Sequence, residues 1–120
     1  MTINSTDTAY NGWTNYATWS LAQQLNNEEG TYGYWHERAL KAYQHASGGP
    51  VFTRREQATL DLAKCLKADV DAHVPTTGAG FYTDILNAGL AVIDYNKIAE
   101  HWIAAVIEAA PKNEDTNVIV

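Results

Sequence analysis

Apolar residues recur at intervals of three and four along most of this chain, the spacing of a helix that buries one face. Tyr16, Trp19, Ala22 and Leu25 mark a first stripe, with Thr14 or Asn15 placed to cap it, which predicts a helix over 15–27. Asn11-Gly12 just before it is a turn dipeptide, because both residues tolerate positive φ. Asn26-Asn27 and Gly30 end this helix, and Thr31 offers a cap for a second one carrying Tyr32, Trp35, Ala39, Ala42, Tyr43 and Ala46. Ser47-Gly48-Gly49-Pro50 stops it, since glycine accepts a left-handed geometry and proline cannot continue a helix.

Thr53-Arg54-Arg55-Glu56 is the best-specified start in the chain. It fits a capping box, in which hydroxyl and carboxylate satisfy each other's backbone N–H groups. Leu62, Ala63, Cys65, Leu66, Asp69 and Val70 track the helix that follows to Ala72, and the segment from Val74-Pro75 to Gly80 breaks it. The stretch 81–110 divides in two. Gly89 weakens a helix over 81–93 by about 1 kcal/mol relative to alanine, and Asp94 then caps another with Tyr95, Ile98, Trp102, Ala105, Val106 and Ala109 on one face. Pro111 closes it. Alternation of period two is missing, so the pattern predicts an all-α single domain of four to five helices over 10–110. A flexible lead over 1–9 and a tail over 111–120 flank it, and Val118-Ile119-Val120 could add a marginal strand or dock on the core.

Composition narrows the function. Eight basic residues against fourteen acidic ones give a net charge of −6, which argues against a groove that tracks phosphate backbone and so against direct nucleic-acid binding. The chain shows neither a long apolar span nor a basic, apolar leader, which predicts a cytoplasmic protein that makes no membrane contact. The acidic residues are scattered, a solvated exterior rather than the long acidic rows of a nucleic-acid mimic. Thirteen aromatics are many for 120 residues, and seven of them fall within the first 35. The expectation is that the first two helices make an aromatic-rich half of the core. A few rings are then left as partner-binding anchors: Trp13, Tyr16 and above all Tyr34, which lies off its helix's stripe, with Glu28 and Glu29 beside them.

Catalytic chemistry finds little footing. His36, His45, His73 and His101 form no pair at ligand spacing, so neither a metal nor another cofactor is implied. Cys65 reads as a small core residue, lacking the electropositive setting of a reactive thiolate. Asp69 and Asp71 fall on different helical faces, and Gly78-Ala79-Gly80 lacks the strand and lysine of a phosphate loop. The expectation is a protein with no catalytic residue, hence not an enzyme.

The segment Tyr10-Asn11-Gly12-Trp13-Thr14-Asn15-Tyr16-Ala17-Thr18-Trp19 resembles the opening of an uncharacterised family of small proteins from phages, plasmids and diverse bacteria. Thr31-Tyr32-Gly33-Tyr34-Trp35-His36-Glu37-Arg38-Ala39 resembles that family's second segment. Phe81-Tyr82-Thr83-Asp84-Ile85-Leu86 and the residues from Asp94 to His101 look like its C-terminal pair. The chain departs from the pattern at Ala17, where relatives carry an acidic residue, and at Ser20, where asparagine is usual. The resemblance implies a phage or mobile-element setting, in which small accessory proteins block host defence.

Two functions follow as expectations. The first is a non-enzymatic protein that binds and inhibits a host protein, most concretely an anti-CRISPR or anti-restriction factor. The second is a helical binder that sequesters a nucleotide, with the Gly78–Gly80 connector and the early aromatics facing one cavity. Ile103 and Ile107 add a second apolar row to the last helix, and a helix apolar over so much of its circumference predicts a homodimer interface through these two residues.

Overall fold

The computed structural model describes residues 9–27, 29–75, 78 and 80–109, with Glu29 described through its backbone alone. Helices α1 (Tyr16–Asn27), α2 (Glu29–His45), α3 (Arg54–Ala72), α4 (Phe81–Ala91) and α5 (Tyr95–Ala109) make up the fold, which is all-α. α3 and α5 form the most extensive pairing, α2 packs across both, and α1 lies against α2 and touches α5. Ala39, Ala58 and Ala99 are fully buried at these crossings, and their short side chains let α2, α3 and α5 approach closely. Leu62, Leu66, Ile98 and Ile103 are the largest side chains wholly removed from water, each contributing about 1.5–3 kcal/mol.

The chain enters through a tight turn. Tyr10 and Trp13 exchange two backbone hydrogen bonds of 2.9 and 2.8 Å, with Asn11 at φ 47° and Gly12 at φ 85° between them. Two consecutive positive φ values are what the Asn-Gly dipeptide accepts at small cost. At α3 the capping box forms as its sequence demands: Thr53 Oγ1 accepts from the Glu56 N–H at 3.1 Å, and Glu56 Oε1 accepts from the Thr53 N–H at 2.8 Å.

Several expectations need correction. Thr31 does not cap α2, which begins two residues earlier at Glu29. The buried stripe of α1 is Thr18, Ala22 and Leu25, while Tyr16 is exposed and Trp19 half-buried. The early aromatics are mostly surface: of the seven, Trp35 alone is buried, whereas Tyr10, Tyr16, Tyr32 and Tyr34 are exposed. Ile103 is 0% exposed within a single chain and Ile107 packs against the core beside it. Of the expected dimer row, Ile103 is therefore interior and Ile107 partly buried, in a helix that packs against both α2 and α3. Glu28, the lead 1–8 and the tail 110–120, with Pro111 and Val118-Ile119-Val120, lie outside the described residues.

Candidate interaction surface

The opening motif builds a joint between two helix starts. Asn15 is the cap of α1, its Oδ1 accepting from the Thr18 N–H at 2.9 Å. The buried Thr18 hydroxyl donates to the same oxygen at 2.7 Å and accepts from the Asp94 N–H at 2.9 Å. Asp94 in turn caps α5, taking the Lys97 N–H on Oδ1 at 3.0 Å, while its Oδ2 accepts from the Thr14 hydroxyl at 2.7 Å. Asn15 Nδ2 donates to the Val92 carbonyl at 2.7 Å, tying down the residue that follows α4. The third residue of α5 is Lys97, which cannot accept a bond from the cap's own N–H. A hydroxyl brought from α1 does what Glu56 does locally in α3.

With Thr18 turned inward, the rings beside it turn outward. Tyr10, Tyr16 and Trp19 form a three-ring cluster, with centroid separations of 5.0, 4.8 and 5.5 Å. Tyr16 also borders a groove of about 460 Å³ between α1 and α4, whose apolar lining includes Leu21, Ile85, Leu86, Leu90 and Ile93. α4 itself buries no residue. Its Phe81 and Tyr82 are 70% and 79% exposed and its Ile85 is 57% exposed, followed by Val92 at 53%. Asp84 is the one charged side chain on this helix. A face this apolar on a small acidic protein is unusual, since scattered exposed hydrophobics are normal but contiguous ones are not.

The other expected anchors lie apart from this face. Trp13 is half-buried with its ring 5.2 Å from that of His101 on α5. Tyr34 is 52% exposed on α2, where it packs edge-on to Trp35 and beneath the Arg38 guanidinium. Glu29 opens α2, but its side chain, like all of Glu28, is outside the described residues. Among the expected anchors, Tyr16 therefore joins the α1–α4 groove and Trp13 and Tyr34 do not. Sequence periodicity missed Thr18 and the outward face of α4; the Asn-x-x-Thr spacing at the start of α1 was the available signal for the first.

Cys65 also departs from expectation. It is half-buried, and its Sγ accepts a hydrogen bond from Arg38 Nη2 at 2.9 Å, so a cation does stand beside it. That bond and the attraction of the sulfur are the main causes that raise the Arg38 pKa above its ordinary value. Gly80 lies at the far end of α4 from the Asn15–Val92 joint, about 16 Å away along an 11-residue helix. Neither Gly78 nor Gly80 lines the cavity that Trp13 borders. Among the described residues, no group of three histidine, cysteine or acidic side chains is placed to hold a metal ion, and no helix is long and apolar enough to cross a membrane. Comparison with protein-family models, curated proteins and solved structures finds no match to this chain.

Proposed function

We propose that the protein works by binding another protein through α4 and the Tyr10–Tyr16–Trp19 cluster, and that it inhibits its target without chemistry of its own. The observation that carries this reading is a helix with no buried side chain, presenting Phe81, Tyr82, Ile85 and Val92 beside an apolar groove. Tyrosine and tryptophan dominate interface energetics because they bring large area with few rotatable bonds. A groove between two helices suits an amphipathic helix laid along it. With Asp84 the sole charge on α4, recognition rests on apolar burial, and the partner surface is an apolar helix or strip rather than a basic nucleic-acid groove. The anti-defence version, with a host restriction or CRISPR protein as the target, rests on the resemblance of the aromatic opening to the phage and plasmid family.

The test pairs an activity with a surface. Expression of the chain is expected to lower restriction or CRISPR interference in a host that carries the system. The double variant Tyr82→Asp, Ile85→Asp should lose that effect and the binding of the purified target, while its melting temperature stays unchanged. Full retention of target binding by the variant, or no effect of the original chain on either defence, defeats the reading.

A further inference from the structure

A second groove, on the opposite partner of the joint, has a different chemistry. Trp13, Arg55, Lys97, Glu100 and His101 line a cavity of about 430 Å³ between the entry turn, α3 and α5. It continues into one of about 610 Å³ through the shared Arg55 and Glu100, with Phe52 at its far wall. Both volumes fall in the range of small-molecule sites, about 300–1,000 Å³.

Four cations elsewhere in the chain are held by neighbours. Lys41 pairs with Glu37 and Lys67 with Asp71 on their own helices. Arg38 is held by Cys65, and Arg54 donates to the Tyr43 carbonyl at 2.9 Å while stacking 4.0 Å over its ring. Lys64 shares a separate pocket with Arg38. Arg55 and Lys97 line one groove with Glu100, and among the described residues their side chains make no hydrogen bond or ion pair. Two cations and one carboxylate line this cavity, so its lining carries a net positive charge in a protein of net charge −6, which favours an anionic ligand.

The rest of the lining selects among anions. The Tyr10–Trp13 backbone pair holds the Trp13 main chain and the His101 ring lies against its indole, so a planar group can stack on it with little loss of freedom. Arginine and lysine both suit phosphate oxygens. A carboxylate such as Glu100 accepts hydrogen bonds from ribose hydroxyls. The same carboxylate, together with Glu56 along the groove, opposes the continuous phosphate run of a polynucleotide.

We propose that this groove binds a free nucleoside phosphate, its base stacked on Trp13, its phosphate between Arg55 and Lys97, and its ribose on Glu100. The site is separate from the α4 face, so either assignment can fail without the other. The experiment measures thermal shift and tryptophan fluorescence of the full chain against adenosine, guanosine, cytidine and uridine 5′-monophosphates. Adenosine, inorganic phosphate and a single-stranded oligonucleotide serve as comparison probes. At least one monophosphate is expected to raise the melting temperature by about 5 °C at ten times its dissociation constant and to bind at least tenfold more tightly than adenosine or inorganic phosphate. Arg55→Gln and Lys97→Gln, both at exposed positions, should each weaken it about tenfold without lowering the melting temperature of the unliganded chain. No shift with any monophosphate, equal binding of inorganic phosphate, preferential binding of the oligonucleotide, or undiminished binding by both variants overturns the proposal.

Discussion

Replacing Thr18 by valine keeps the shape of a side chain that is 0% exposed and removes its hydroxyl. Two hydrogen bonds go with it, one given to Asn15 Oδ1 at 2.7 Å and one taken from the Asp94 N–H at 2.9 Å. At about 1 kcal/mol each they account for about 2 kcal/mol, and leaving the Asp94 N–H without a partner adds about 1 kcal/mol more. Asn15 Oδ1 keeps the Thr18 N–H, so no second group is orphaned. The added methyl returns less than about 0.8 kcal/mol. The net loss is about 2 kcal/mol, a large share of the 5–15 kcal/mol typical of a small domain. Thr18→Ser keeps both bonds, loses one methyl, and should cost about 1 kcal/mol. In urea titrations with a slope of about 1–3 kcal/mol per molar, valine should lower the midpoint by about 1 M and serine by about half as much. A valine midpoint at or above that of serine would show that apolar filling, not the bridge between the two caps, sets stability here, and the joint would lose its explanation.

Ile103→Glu places a carboxylate where the side chain is 0% exposed; a loss above about 4 kcal/mol is expected, so circular dichroism should show an unfolded chain, and a folded monomer would restore the dimer row instead. Gly48→Ala builds a Cβ only 2.8 Å from the Arg54 backbone nitrogen at φ 72°, and a loss of about 1–3 kcal/mol in urea is the expected result. Tyr95 has its pKa raised above the ordinary 10.0, first by burial and then by Asp71. Its contribution is therefore present below that value and lost as pH rises through the higher folded one; Tyr95→Phe should lessen the fall in urea midpoint above about pH 10. Ala17 borders the α1–α4 groove in the first turn of α1. Ala17→Glu should gain about 0.3–1 kcal/mol from the helix dipole while weakening target binding, and binding measured with the purified target separates the two effects.

Local rules carried much of the architecture. The capping box at Thr53, the turn at Asn11-Gly12 and the fresh start at Asp94 each depend on residues within four positions of one another, and each forms as its pattern requires. What the pattern concealed is long-range. Thr18 and Asp94 are 76 positions apart, and a buried threonine counts as polar in any periodic reading until its partner is known. Phe81, Ile85, Leu86 and Leu90 have the spacing of a core helix, yet α4 buries no residue, because α2 and α3 already occupy the contacts of α5. The same packing left Ile103 interior and Ile107 partly buried. Trp13 stood out in the sequence, but the cations that share its cavity come from α3 and α5, and only folding brings Arg55 and Lys97 beside it.

Because α4 contributes no side chain to the interior, substitutions along it escape the packing constraints that hold Leu62 or Ile98 in place. Exposed positions change stability by about 0.5 kcal/mol or less, so Phe81, Tyr82, Asp84, Ile85, Asn87 and Ala88 can vary while the rest of the bundle persists. The chain thereby separates two tasks that compact domains usually entangle: keeping its shape, and changing what it recognises. Drift along α4 could alter specificity one residue at a time without passing through unfolded intermediates, a useful latitude for any protein whose target is itself changing.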